Sequence, residues 1–304
     1  MRIVIDMQGA QAESRQRGIG RYTLALVRAM LKQQKGHEII LALNGLFPES
    51  VDMLREEFCN VLPPHQIRVW SAPAPVRKID SSNQSRWEVA ECFYEFFLNS
   101  LQPDYLIITS LFEGVGCDAV TSVKAWRQSY PVAVILFDLI PLIHRSPYLD
   151  NPAYARWYDE KIFHLKRTNR LLAISEATRQ EGIKYLDFPS EDIVNISSAI
   201  DAVFRPVCVS EKRQQVLRNS YGIPKPFVMY TGGIDHRKNV EGLIRAFAKL
   251  PQPLQQSHQL AIVCTVHDSE KERLQALAKR HGLAENTLVL TGYVPEQDLL
   301  ELYN

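Results

Sequence analysis

The stretch most able to do chemistry is Tyr230-Thr231-Gly232-Gly233-Ile234-Asp235-His236-Arg237-Lys238-Asn239. An apolar strand runs into two glycines, a short loop follows, and two adjacent cations stand where the next helix begins. Ligands of open α/β sheets sit beyond the carboxyl ends of the strands. At such a place Arg237 and Lys238 can hold a diphosphate, Arg through its planar fork and Lys as a point charge. An isolated Arg-Lys pair is more often a solvated loop. Gly232, Gly233 and the strand-to-helix setting favour the phosphate.

A second anion candidate is Gly18-Ile19-Gly20-Arg21-Tyr22, between the first strand and the first helix. Two glycines permit close backbone approach, and a helix N-terminus offers unpaired N–H groups and a favourable dipole. The bland alternative is a tight turn that starts a helix. A dinucleotide fingerprint does not fit, because a third glycine is missing and Asp6 lies far upstream of Gly18. Asp138 follows the most apolar strand; a carboxylate at a buried strand end either binds something or caps a turn, and His144 is a nearby partner. Ser175 is a natural helix N-cap, Glu176 can add a polar contact at the mouth of a cleft, and Asp201 is equally open to both uses.

Other chemistries have no address. No D-x-D, G-x-S-x-G, Walker loop or H-E-x-x-H occurs, and the eight histidines show no ligand spacing, so no metal site is expected. Tyr221 and Lys225 have the spacing of a reductase pair, but Pro224 between them breaks the helix it needs. Trp126, Tyr130, Trp157 and Tyr158 suit core or cleft packing. Lys161, Lys166, Arg167 and Arg170, interleaved with Ile162, Phe163 and Leu165, fit contact with anionic lipid headgroups or, more commonly, a half-exposed helix.

The elements that must position these residues alternate. Strands are expected at 2–6, 38–43, 67–70, 105–109, 132–137, 170–174 and 193–196, then at 226–231, 259–264 and 286–290. Helices are expected between most of them, with apolar faces over 20–34, 86–101 and 239–249. This order gives an α/β protein of two Rossmann-like, doubly wound parallel sheets, the second incomplete with its three strands. The polar run after Phe204-Arg205-Pro206 divides the chain into domains 1–206 and 207–304.

Composition agrees with two ordinary globular domains. The chain has 304 residues, 46% hydrophobic and 23% charged, and a net charge of +1, which argues against a nucleic-acid binder working by bulk charge. Residues 1–6 do not read as a signal peptide, and the longest apolar run, Val132 to Phe137, is too short to span a membrane. The five cysteines are scattered and odd in number, as expected of reduced, mostly buried thiols in a cytoplasmic protein.

In their order, Gly18–Tyr22, Asp138-Leu-Ile-Pro141, Ile174-Ser-Glu176, the 230–239 stretch with Leu243 and Ala246-Phe247, and Leu290-Thr-Gly-Tyr-Val294 with Leu299 and Tyr303 resemble the retaining, GT-B-fold glycosyltransferases of family 4, bacterial mannosyltransferases of polysaccharide assembly in particular. The resemblance implies hexosyl transfer from a nucleotide-diphosphate sugar, GDP-mannose for preference, to a saccharide or lipid-linked saccharide acceptor, with no cofactor and no metal. It places Gly18, Gly20, Arg21 and Tyr22 at the acceptor and phosphate side, and Gly232, Gly233, Arg237 and Lys238 on the donor. Val294 would lie near the base and Asp138 near the transferred sugar. It also implies a leaving phosphate oxygen that takes the acceptor's proton, so that no dedicated base is needed, and a cytoplasmic enzyme, peripheral at the inner face of the membrane.

Two departures from the family pattern stand out. Phe137 occupies the place where the family usually has His. The family's paired glutamates follow the Tyr303 region, and the chain stops at Asn304, so a truncated enzyme, a fragment of a longer polypeptide or a degenerate protein is expected. The alternative is a non-catalytic module that binds sugar nucleotide or saccharide; a nicotinamide oxidoreductase is a remote third.

Overall fold

A computed structural model describes residues 1–125, 129–201 and 203–304; Trp126 lies outside them. The chain divides into two compact units, Met1–Ala199 and Ile200–Asn304.

The first unit runs β1 (Arg2–Asp6), α1 (Gly18–Lys32), β2 (Glu38–Asn44), α2 (Pro48–Phe58), β3 (Ile67–Trp70), α3 (Gln84–Ser100), β4 (Tyr105–Ile108) and β5 (Val132–Leu136). Two single turns follow, α4 (Ile140–Ile143) and α5 (Arg145–Tyr148), then α6 (Pro152–Lys166), β6 (Arg170–Ala173), α7 (Glu176–Leu186) and β7 (Ile193–Asn195). The strands form one seven-stranded sheet in the order β3-β2-β1-β4-β5-β6-β7. Every pairing is parallel, with Val4 opposite Ile40 on one side and Leu106 on the other. The order reverses between β1 and β4, where the loops that follow these strands diverge.

Strand side chains alternate between faces, and each face has its own core. Val4, Ile40, Leu106, Val134 and Leu136 pack on one side with Tyr94 and Leu98 of α3 and Leu165 of α6. Ile5, Ile39, Leu41 and Leu43 pack on the other with Val27 and Leu31 of α1. All of β5 is buried, which is why its run is uniformly apolar. Each such side chain contributes about 1.5–3 kcal/mol of transfer free energy.

The helices begin where their caps say. Asn151 accepts from the N–H groups of Ala153 and Tyr154 ahead of Pro152, and Ser175 accepts from Thr178, as its sequence position predicts. Trp157, Tyr158 and Tyr130 are buried, in keeping with a packing role.

The second unit contains α8 (Glu211–Tyr221), β8 (Phe227–Thr231), α9 (Val240–Phe247), α10 (Gln252–Ser257), β9 (Gln259–Val263), α11 (Asp268–Arg280), β10 (Leu288–Leu290) and α12 (Glu296–Leu302). Its three strands form a parallel sheet, β10-β9-β8. Helix α8 ends at Gly222, whose φ of +67° is left-handed, so Tyr221 and Lys225 share no helix. The unit begins at Ile200. Residues 204–207 turn towards its last helix: Phe204 meets the Tyr303 ring edge-on, and Asn304 Oδ1 accepts from Val207 N–H.

Three further expectations are corrected. None of the five cysteines is fully buried: Cys59 and Cys208 are exposed, and the others are half-buried. Cys59 follows the last turn of α2, and Cys208 lies in the irregular segment before α8. Lys161 does not belong to a surface basic stretch; it is 1% exposed. Asp138 is not buried at its strand end but exposed.

Candidate active site

In the first unit the sequence-predicted residues gather at the carboxyl ends of the strands. Tyr22, in the first turn of α1, is the link. Its ring lies edge-on to Phe137 at 5.5 Å, and its hydroxyl donates to the Ser197 carbonyl at 2.8 Å. The start of α1, the end of β5 and the loop after β7 are thereby drawn together. Burial raises the Tyr22 pKa, which keeps the phenol a neutral donor.

The two glycines of this segment do different jobs. A Cβ on Gly20 would stand 2.2 Å from the Arg15 carbonyl oxygen, so Gly20 is required for the chain's own packing against the turn at Glu13–Gln16. Gly18 faces open space. Arg17 precedes the helix with no side-chain cap, so the first amides of α1 remain available to an anion. Arg21 is exposed beside them.

Asp138 uses one carboxylate oxygen to accept from the Ile140 N–H at 3.0 Å. That is the turn-capping arrangement, and it leaves the rest of the carboxylate open to solvent or to ligand hydroxyls. Its charge reaches Tyr154 and Tyr158, which burial first and Asp138 second push above the ordinary tyrosine pKa. Glu176 is committed locally, to Gln180, Arg179 and Asn195. Asp201 accepts from Val203 N–H in a turn.

Sequence reading missed Glu113. It is 4% exposed, in the loop after β4 at the point where the strand order reverses, and it accepts from Ser110 Oγ at 2.8 Å. Burial raises its pKa. No motif flags a lone glutamate in an apolar loop; only the topology brings it beside the loop after β1.

In the second unit β8 ends at Thr231, and Gly232 takes φ +132°, a backbone that side chains disfavour. The Tyr230 hydroxyl donates to the Gly233 carbonyl at 2.6 Å, which fixes the turn. Asp235 then caps a single 3-10 turn, His236–Lys238. Its Oδ1 accepts from both the Arg237 N–H (3.0 Å) and Arg237 Nε (2.8 Å). Arg237 is therefore held in place by an ion pair, while Lys238 is exposed beside it. Asn239, at φ 50°, caps α9 by accepting from Gly242 N–H. Asp235 and Asn239 are the positioning residues that the Arg-Lys pair alone did not reveal; both are Asx residues flanking a turn, the available signal.

A depression of about 420 Å³ opens beside this turn, lined by Ile234, Asp235, His236, Asn239, Glu241 and Arg273 among others. Arg273 pairs there with both Glu241 and Glu270, the latter at 2.7 Å, and Glu241 also pairs with Arg245 at 2.7 Å. Val294 is 8% exposed and packs with Leu217, Ile223 and Ala261. Its side chain serves the core, not an open cleft.

The expectation that no histidine shows ligand spacing is corrected: His164 lies four residues from Glu160 on α6, and both approach Glu91 of α3. No helix among the described residues is long and apolar enough to cross a membrane.

The chain's sequence matches two family models. Residues 16–204 match the family model described as Glycosyltransferase Family 4, and residues 213–304 match Glycosyl transferases group 1. The chain belongs to glycosyltransferase family 4. It is 32% identical to the serotype-specific mannosyltransferase WbdA of Escherichia coli over 305 residues, covering 100% of this chain and 36% of that protein. It is 30% identical to the O-antigen chain mannosyltransferase B of Escherichia coli over 148 residues, 48% of this chain and 38% of the relative. The chain thus spans about a third of the length of the curated relatives it matches.

Among solved structures, HepE from Anabaena, in complex with UDP and glucose, aligns at a TM-score of 0.59 and 17% identity over 99% of this chain and 71% of its own. WaaG, a glycosyltransferase involved in lipopolysaccharide biosynthesis, aligns at 0.57 and 14% over 99% and 72%. These likenesses show the fold, the GT-B class expected from the sequence.

Proposed function

We propose that this chain carries the domains of a retaining hexosyltransferase that moves a mannosyl unit from GDP-mannose to a saccharide acceptor in O-antigen-type polysaccharide synthesis. The observation that carries the reading is the turn after β8. There a glycine pair and an Asp235-anchored Arg237 precede Lys238 at the carboxyl end of a parallel strand. The mannosyltransferase relatives along the whole chain support the sugar.

As the anomeric bond breaks, positive charge grows on the sugar carbon and negative charge on the diphosphate. Cations fixed beside the leaving group stabilise that transition state more than the ground state. Anchoring by Asp235 keeps the Arg237 guanidinium from reorganising at that moment. A leaving phosphate oxygen on the same face takes the acceptor's proton, so no carboxylate base is required. Gly18 and the free amides of α1 would receive acceptor or phosphate oxygens, and Asp138 the hydroxyls of the transferred sugar.

In the intact protein, Arg237→Ala and Lys238→Ala should each lower turnover of GDP-mannose roughly a hundredfold, about 3 kcal/mol of barrier. Unchanged turnover would remove these residues from the mechanism. Calorimetry with GDP-mannose and UDP-sugars fixes the donor; tight binding without transfer would favour a non-catalytic module.

Peripheral membrane contact at the cytoplasmic face belongs to the same proposal. Its support is Phe163, 57% exposed on α6, and an apolar ridge on α3 of Val89, Phe93 and Phe96, the last 72% exposed. Phe93→Ser with Phe96→Ser should reduce co-sedimentation with anionic vesicles; unaltered co-sedimentation rejects the contact.

A further inference from the structure

The helices α3 and α6 meet through a buried polar cluster that the transfer reaction does not use. Glu160 and His164 lie one turn apart on α6 and approach Glu91 of α3, with one ligand atom from each inside a 4.8 Å sphere of mutual distance. His164 Nε2 stands 3.9 Å from Glu91 Oε1 and 3.8 Å from Glu160 Oε1. These separations are too long for hydrogen bonds. They are slightly wider than the ~3.4 Å edge of a tetrahedron with metal–ligand bonds of about 2.1 Å.

Two observations point to a ligand. Glu91 is 8% exposed, and its Oε1 is buried with no hydrogen-bond partner. An unpaired buried carboxylate oxygen is costly. His164 is 4% exposed; the Val123 N–H donates to its Nδ1 at 3.3 Å, and the Val123 carbonyl lies 3.2 Å from the same nitrogen. Metal uptake therefore moves the ring proton from Nε2 to Nδ1, where the Val123 carbonyl can accept it, and turns an Nε2 lone pair towards the two carboxylates. Metal-binding histidines are oriented by this kind of backbone contact.

We propose that Glu91, Glu160 and His164 form a structural site for a divalent transition-metal cation that clamps α3 to α6. One imidazole and two carboxylates suit Zn2+, with a fourth position left for water. The residues lie well inside the two helices rather than at the carboxyl ends of the strands, which is why the role is structural.

Two lysines set the competition. Lys161 directs its Nζ to the Thr121 carbonyl and hydroxyl, at 2.5 and 2.8 Å, and its buried ammonium is also the largest charge acting on the Glu91 carboxyl. Lys78 is the competitor that can leave. Its ammonium is paired with Glu160 and lies over the Trp87 ring, but its side chain is 17% exposed and has a route to solvent. A cation entering the site displaces Lys78 from Glu160.

The test is a Zn2+ titration of the metal-free chain, followed by calorimetry and thermal unfolding. One equivalent should bind and raise the unfolding temperature, because a ligand that prefers the folded state stabilises it by mass action. Glu91→Gln, nearly isosteric, and His164→Gln should each weaken that binding at least about tenfold. Lys78→Met, which keeps the stem on Trp87 and removes the competing charge, should tighten it. Failure of both the native chain and Lys78→Met to take up Zn2+ would overturn the proposal and leave an ion-pair network. Binding at native affinity in Glu91→Gln and His164→Gln would overturn it too, by placing the metal elsewhere on the chain.

Discussion

At the scale of single residues, the two glycines at the start of α1 differ in what a side chain would meet. Gly20 has the Arg15 carbonyl oxygen 2.2 Å from the place of a Cβ, and backbone cannot yield as a side-chain tip can. Gly20→Ala should therefore cost about 1–3 kcal/mol in urea unfolding. Gly18→Ala, with nothing near its Cβ, should leave stability unchanged or slightly raised by better helix propensity. Equal losses from both substitutions would contradict this division of labour.

Asp6 offers a second residue-scale prediction. It is fully buried at the end of β1, and desolvation lifts its pKa to about 7 against the opposing hydrogen bonds from Tyr94 and Gln8. The folded state thus holds this proton more tightly than the unfolded chain, whose Asp titrates near 3.8. The resulting stabilisation is present in full below the unfolded value and is lost as pH rises towards about 7. Asp6→Asn cannot titrate. Its unfolding free energy relative to the native chain should climb by a few kcal/mol between pH 4.5 and 8. A flat difference would show that Asp6 is ionised in the folded protein.

At the scale of elements, the sequence was most legible where burial is symmetrical. Among the described residues the ten strands fall where apolar, β-branched runs predict them, and β5, buried along its whole length, is apolar throughout because a parallel strand covered on both faces must be. Ser175 and the Gly-Gly turn after β8 were equally readable, since caps and turns are local chemistry. Properties set by distant chain were not. Asp138 follows a fully buried strand yet is exposed, because the chain leaves the sheet immediately to start α4. Lys161 carries a surface residue's composition but is buried, because the loop at Thr121 folds over α6 and gives its ammonium two oxygens. Val294 follows a strand like a ligand-contacting residue, but α8 and α12 supply apolar partners that draw it inward. Glu91 and His164 are far apart in sequence and meet only through helix packing, so a search for ligand spacing along the chain passes over them.

At the scale of the whole molecule, the first unit carries what independent folding requires. Its sheet is covered on both faces, with Val4 and Ile5, neighbours in β1, anchoring opposite cores. Its central strands are saturated by parallel pairing on both sides. A domain of this size buries roughly 70–75% of the surface its unfolded chain exposes, enough to offset conformational entropy without a partner. Residues 1–199 expressed alone should therefore unfold cooperatively in urea. They should also show the pH-dependent effect of Asp6→Asn found in the full chain, because the Asp6, Tyr94 and Gln8 network lies entirely within β1, the loop after it and α3. A broad, non-cooperative transition would mean that the sheet needs more than its own helices to close its core. Cooperative unfolding without the Asp6 pH signature would instead place the error in the burial of that one carboxylate and leave the architecture standing.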